Sequence, residues 1–263
     1  MATDPRRIAL ITGGTSGIGA AFADRLAQQG LHLILTGRRR EKIEALAAEF
    51  AGRHSVQVQV VIADLARDDD LAALAELISP LAGLEVLVNN AGFGTRGAFR
   101  EQPSAPHEAM LKVHALATMR LTHAALPAML ANHRGSIINV SSLAAFFPLP
   151  QHATYSATKA FVRYFSESLS LELRGTGVRV QALCPGFTRT DFHTRIGMDA
   201  DQVYRDRGPL RTMSPQQVVD ASLRCLQRGQ VICVPGFRNR IASVLPRLLP
   251  RSVLHKMLLS IKE

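Results

Sequence analysis

With 263 residues, 47% of them hydrophobic and 20% charged, the chain can bury one substantial core, and a single domain of this length is ordinary for α/β folds. The formal net charge of +10 asks for an anionic partner: a phosphorylated cofactor, an acidic carrier, a lipid surface or a nucleic acid. Nucleic acid is not expected, because the cations are spread without aromatic interleaving, and the scarcity of aromatics speaks against an aromatic-rich sandwich.

Cys184, Cys225 and Cys233 form no CxxC pair and no disulfide framework, so reduced thiols and no metal site are expected. The first residues lack the pattern of a secretory leader, and no apolar run approaches the ~20 residues of a membrane span. A cytoplasmic protein is the expectation.

Ile8 to Ile11 reads as a strand, and Ser16 to Gln29 has helical spacing through Ile18, Phe22 and Leu26. Between them lies Thr12-Gly13-Gly14-Thr15-Ser16-Gly17-Ile18-Gly19. Glycines at 13, 17 and 19 let the backbone approach a pyrophosphate at the helix N-terminus, where peptide dipoles meet negative charge. A tight structural turn also explains such glycines; the position between first strand and first helix favours the phosphate cradle.

Leu31 to Leu35 is the second strand candidate, and it runs into Thr36-Gly37-Arg38-Arg39-Arg40, where an NAD-binding fold would offer a carboxylate to the adenosine ribose. A guanidinium grips a 2′-phosphate and a carboxylate repels it, so NADP(H) is expected, with Arg38 the first candidate and Arg39 the second. The alternative is a solvated flank of the next helix, Glu41 to Phe50, although cations disfavour a helix N-terminus.

The alternation continues with a strand at Val56 to Ile62, a helix near Asp69 to Ile78, a strand at Glu85 to Val88 and a long helix between Ser104 and Asn132. Ser136 to Val140, His152 to Arg174, Val178 to Leu183, Ser214 to Gln227 and Val231 to Val234 then read as strand, helix, strand, helix and strand. Regular βα alternation builds an open, seven-stranded parallel sheet with helices on both faces. Residues 1–237 are expected to form one domain, with a substrate lid about 187–213.

The chemistry gathers late in the chain. Tyr155 and Lys159 are four apart on a predicted helix and project from one face. A neighbouring ammonium, together with a positive nicotinamide ring, is expected to stabilise the phenolate, with Lys159 lowering the phenol pKa, and make Tyr155 a general acid/base. Ser142, at the end of the fifth strand, can polarise the oxygen that Tyr155 protonates, and its spacing suits Tyr155 better than that of Ser141. A YxxxK pair alone is more often a packed tyrosine beside a solvated lysine; Ser142 and the phosphate cradle reverse that balance.

From the TGxxxGxG turn to Pro185-Gly186 the chain resembles the short-chain dehydrogenase/reductase family. The resemblance implies a Rossmann-type fold and a hydride exchange between NADP(H) and a carbonyl or secondary alcohol. By it, Ser142, Tyr155 and Lys159 are catalytic, and Tyr155 and Lys159 also touch the cofactor. Asp64 and Leu65 would hold the adenine, and Asn90, Ala91 and Gly92 would brace the sheet edge beside the adenosine ribose. Thr188 and Thr190 would face the nicotinamide carboxamide after Pro185 and Gly186, and a homodimer or homotetramer is implied.

One departure concerns Lys112-Val113-His114-Ala115, where family members carry Asn at the position of His114. The family's Asn holds a relay water; His114 would take over that relay, carry the proton itself, or be a buried histidine without a role. An NADP-binding sensor or scaffold with little turnover is the competing function, and His114 is its one argument.

Phe93, Phe99, Phe146, Phe147, Leu149, Phe187 and Phe192 are candidates to line an apolar or acyl substrate cavity, core packing being the alternative. Arg238 to Lys262 carries six Lys or Arg residues, no acid and amphipathic turns punctuated by Pro246 and Pro250. This tail, 238–263, is read as a peripheral membrane contact, a wall for an acyl substrate, or a segment docked on this or a partner subunit.

Overall fold

Strands that are apolar on both sides need a cover on both sides, and the chain supplies it. The structure, a computed structural model, describes residues 7–197, 199, 204 and 212–260. Its strands are β1 (Ile8–Thr12), β2 (His32–Gly37), β3 (Val58–Ile62), β4 (Leu84–Asn89), β5 (Gly135–Val140), β6 (Val178–Leu183) and β7 (Ile232–Cys233). They form one all-parallel, seven-stranded sheet in the order β3-β2-β1-β4-β5-β6-β7. The expected fold class is the observed one.

The helices are α1 (Gly17–Gln28), α2 (Arg40–His54), α3 (Asp68–Ile78), α4 (Ser104–Leu111), α5 (Ala117–Ala131), α6 (Ala153–Glu172), α7 (Asp191–Arg195), α8 (Pro215–Gln227), α9 (Phe237–Leu248) and α10 (Arg251–Ser260). The pleat sends alternate residues of β1 to opposite layers. Ala9 and Ile11 pack with Phe22 and Leu26 of α1 and Val218 of α8, whereas Leu10 packs with Leu74 of α3 and Leu121 of α5. Phe22 is fully buried, so its truncation to Ala would cost about 3–5 kcal/mol.

The chain reaches one edge of the sheet at β3 and returns to β4 on the other side of β1. The loops after β1 and β4 therefore diverge at the carboxyl edge, leaving the crevice where ligands bind in open α/β sheets. The ends are in register, with Thr12 beside Thr36, Asn89 beside Asn139 and Val140 beside Leu183.

The long helix expected over Ser104 to Asn132 is not uniform: a π-helical turn, Lys112–Leu116, joins α4 to α5 and carries His114. Such turns are rare and gather at functional sites. Within the expected lid, α7 is described, while residues 198, 200–203 and 205–211 lie outside the described set. At the base of this segment Thr188 bridges Met213 in parallel fashion. In the tail, Pro246 sits inside α9 and does not end it. It lies near the end of the helix and removes one hydrogen bond there; the break falls at Pro250. Residues 261–263, including the tail's Ile261 and Lys262, lie outside the described set.

Candidate active site

The β1–α1 loop is shaped for close approach of its backbone to a ligand. Gly13 and Gly17 have φ of 65° and 58°, a region that side-chain-bearing residues rarely adopt. A Cβ on Gly19 would stand 2.4 Å from the Gly13 carbonyl oxygen, so α1 can start this near its own loop only with glycine there. Ile18 packs against the core and anchors the first helical turn.

Asn90 fastens the loop from the β4 side. Its Nδ2 donates to the carbonyls of Thr12 (2.8 Å) and Gly13 (3.1 Å), and the Asn90 and Ala91 N–H groups both donate to Thr12 Oγ1 at 2.9 Å. Gly92 faces the catalytic candidates from the same stretch. A Cβ on it would meet His114 Nε2 at 2.9 Å and Lys159 Nζ at 3.6 Å.

At the end of β2 the two arginines part company. Arg39, the N-cap residue of α2, donates from Nη2 to Thr15 Oγ1 at 2.6 Å and Ser16 Oγ at 3.2 Å. Arg38 points to Asp64, with Nη1 3.5 Å from Oδ2. Arg39 is held below the usual arginine pKa, first by burial and then by the positive field of Arg195. Asp191 pairs with Arg195 (2.9 Å) and lies 3.8 Å from Lys42. Arg39, Arg195 and Lys42 thus gather cations beside the Thr15 and Ser16 hydroxyls, both of which accept from Arg39. Asp64 is further tied through its Oδ1, which accepts from the Ala66 N–H at 3.1 Å, and the Leu65 side chain is buried in the core.

Tyr155 and Lys159 lie on α6, which a buried polar bracket fixes against the sheet. Asn89 Nδ2 donates to Asn139 Oδ1 (2.8 Å) and Asn139 Nδ2 to Ser166 Oγ on α6 (3.0 Å). Ser141 Oγ donates to the Lys159 carbonyl at 2.7 Å. Ser141 is thus committed to the bracket, whereas Ser142 Oγ accepts from the Ala144 N–H at 3.1 Å and keeps its proton available toward Tyr155.

Lys159 Nζ donates to the Val140 carbonyl at 2.9 Å and stands 5.8 Å from the Tyr155 ring centre. Burial pushes its pKa down to about 8. The expectation that Lys159 lowers the phenol pKa is not met: burial raises Tyr155 above the usual phenol value, and the group that opposes the rise is Ser142. The physical reason is that the ammonium is turned toward the carbonyl at the end of β5, and both groups have lost water.

His114 is almost wholly buried. Its Nε2 accepts from the Phe93 N–H at 3.1 Å, and its Nδ1 lies 2.9 Å from Thr158 Oγ1. Thr158 spends its only proton on the Tyr155 carbonyl at 2.9 Å, so Nδ1 is the donor and the imidazole is neutral. Burial first and the Lys159 charge second hold its pKa well below the usual histidine value. The sequence did not single out Thr158, which links His114 to the turn of α6 that bears Tyr155.

The turn after β6 completes the site. The Pro185 carbonyl accepts from the Leu143 N–H at 2.9 Å, tying it to the Ser142 loop. Thr188 Oγ1 donates to the Gly186 carbonyl (3.1 Å), and Thr190 caps α7. Of the apolar residues expected to line a cavity, Phe192 comes over Tyr155, with ring centres 5.7 Å apart. Phe187 and Phe192 both flank His193, while Phe93 meets His114 edge-on. Phe146 and Phe147 pack on a minor core cluster, and Phe99 is exposed.

A family model described as short chain dehydrogenase matches residues 7–201. Sulfoacetaldehyde reductase 2 of Chromohalobacter salexigens is 38% identical over 224 residues, covering 81% of this chain and 86% of the relative. The 3-oxoacyl-[acyl-carrier-protein] reductase of Aquifex aeolicus is 34% identical over 238 residues, 88% of this chain and 96% of the relative. A short-chain dehydrogenase from Sphingobium yanoikuyae, solved in complex with NADPH, superposes with a TM-score of 0.83 at 33% identity, covering 97% of this chain and 96% of that one.

Proposed function

Because the chain belongs to the short-chain dehydrogenase family, we propose that it is an NADP(H)-dependent oxidoreductase that interconverts a carbonyl and a secondary alcohol, with Tyr155 as the general acid/base. The observation that carries this reading is the convergence of Ser142, Tyr155 and Lys159 at the carboxyl edge of the sheet, in line with a phosphate loop that Arg39 overhangs. Gly13, Thr15, Ser16, Gly17 and Gly19 would hold the diphosphate and adenosine end. Arg39, with Arg38 beside it, would grip the 2′-phosphate.

When bound, NADPH supplies the hydride. Ser142 positions the substrate oxygen by hydrogen bonding, and the Tyr155 hydroxyl delivers the proton to that oxygen as it gains charge. Lys159 would set a positive charge beside the cofactor ribose, and the positive nicotinamide ring of the bound oxidised cofactor would favour the phenolate. His114, neutral and with both nitrogens engaged, acts as a positioning residue: it locks Phe93 and the first turn of α6 together and does not carry the proton.

Phe192, Phe187 and Phe93 support a carbonyl compound with an apolar remainder. The two named relatives act on sulfoacetaldehyde and on a 3-oxoacyl carrier thioester, which share the carbonyl. A homo-oligomer is supported by the exposed Met119 on α5 and Phe161 and Tyr164 on α6. Residence in the cytoplasm is supported by three buried, free cysteines, Cys184, Cys225 and Cys233. The basic, apolar tail supports peripheral contact with a membrane.

The test is NADPH oxidation against bulky ketones, small aldehydes and 3-oxoacyl thioesters, with NADPH and NADH binding measured separately. Turnover that is lost in Tyr155→Phe while NADPH still binds is the expected result. Tight NADPH binding with no turnover on any carbonyl would instead establish the sensor reading.

A further inference from the structure

Helix α9 is amphipathic the wrong way round for a helix that merely caps a domain. Its inward face is largely polar: beside Ala242, which packs on the minor core cluster, Asn239 and Ser243 are 4% and 6% exposed, and Asn239 Nδ2 donates to the Pro235 carbonyl at 2.8 Å. Its outward face is apolar. Phe237 and Leu248 at the two ends are 75% and 74% exposed, and Ile241, Val244 and Leu245 between them are also exposed. These five positions follow the helical i, i+4, i+7, i+8, i+11 spacing, so they form one continuous stripe. Hydrophobicity that folding did not need for the core is presented to the outside along the length of the helix.

The charges around the stripe select its occupant. After Asp220 the sequence has no acidic residue until Glu263, while Arg238, Arg240, Arg251 and Lys256 surround the stripe and the start of α10. A second copy docked through this face would bring cations against cations, with Glu263 the one acidic side chain of the tail sequence. The exposed aromatic face of α6 differs, because it also carries Glu167 and Glu172. Among the described residues no helix is long and apolar enough to cross a membrane, so lipid contact would be superficial.

We propose that the outer face of α9, with the start of α10, is a docking surface for an anionic lipid bilayer, the stripe entering the headgroup boundary and the arginines meeting lipid phosphates. This deepens the tail contact of the proposed function by naming the helix face and the lipid charge. The contact also lies close to the site, because Asn239 packs on the Gly186 backbone, where a Cβ would stand 2.7 Å from its Oδ1. A substrate dissolved in the bilayer would therefore leave it near the β6 turn.

The experiment is vesicle co-sedimentation of the full chain on phosphatidylcholine alone and on phosphatidylcholine with phosphatidylglycerol, for the parent and for an Ile241→Glu/Leu245→Glu variant. Both residues are exposed, so folding and NADPH oxidation on a water-soluble carbonyl should be unchanged. The expected result is binding to anionic vesicles that weakens roughly tenfold or more from low to high salt and is lost in the variant. No binding to the anionic vesicles, or equal binding to the neutral ones, overturns the proposal. So does a variant that elutes as a smaller oligomer than the parent, which would give the stripe to a second copy. Absence of NADPH oxidation by the parent chain would count against the carbonyl reading alone, because the lipid assay needs no turnover.

Discussion

His114 and Thr158 are joined by a 2.9 Å hydrogen bond that crosses from the π-helical turn to the helix bearing Tyr155. On the proposed reading the bond aligns Tyr155 and moves no proton, so removing it from either side should have the same effect. His114→Ala and Thr158→Val are each expected to lower kcat roughly tenfold with little change in NADPH affinity, and the double variant should be no slower than the worse single one. In the parent, kcat between pH 5.5 and 8 should show no inflection from His114. A histidine-type inflection that vanishes in His114→Gln would show that the ring carries the proton.

The same histidine makes stability depend on acid. Its pKa in the folded chain lies well below the ordinary value. Between those two values the unfolded chain binds more protons than the folded one, so stability rises with pH there. The contribution is neutral above about pH 7, and the penalty grows as pH falls below the unfolded value of ~6.5. Melting temperatures measured from pH 7 down to 5 should fall less steeply for His114→Gln than for the parent; parallel curves would contradict a buried, neutral ring.

Arg39 rather than Arg38 should decide which coenzyme is bound. Charge-assisted hydrogen bonds are worth about 1.5–3 kcal/mol each, so Arg39→Ala should weaken NADPH by about tenfold or more and leave NADH nearly unchanged. Arg38→Ala, which frees Asp64, should weaken NADPH less. Calorimetric titration of both variants with both coenzymes checks this, and the reverse ranking would return the phosphate to Arg38.

Tyr155 can be watched directly, because the chain has three tyrosines and no tryptophan. In the coenzyme-free protein, tyrosinate absorbance should contain one step above the ordinary phenol value of ~10, absent in Tyr155→Phe. Saturating NADP+ should move that step to lower pH, since the added positive charge stabilises the phenolate. An unmoved step would deny Tyr155 its place beside the coenzyme ring.

The sheet was legible because its central strands are buried on both faces and therefore read as short apolar runs, as at Ile8 to Ile11 and Val86 to Val88. The spacing of Tyr155 and Lys159 announced a shared helix face. It could not announce that the ammonium turns to the Val140 carbonyl, a contact made only when β5 and α6 pack. Nor could local pattern reveal Thr158 as the partner of His114, since 44 residues separate them. Arg38 and Arg39 are adjacent and chemically identical in sequence; the N-cap position of Arg39 aims it back over Thr15 and Ser16. In the tail the periodicity was visible, while the direction of the apolar face depended on Asn239 and Ser243 being the residues that fit against the domain.

The segment over Tyr155 rests on the coenzyme loop itself. Thr190 occupies the space that a side chain at Gly17 would take, 2.8 Å from where its Cβ would be, and Asp191 reaches across to Lys42 on α2. Phe192, two residues on from Thr190, covers the phenol. On the proposed reading the consequence is kinetic: the cover over the carbonyl has its footing on the dinucleotide cradle, so the nucleotide arrives first and departs last, and the alcohol or ketone comes and goes between those two events.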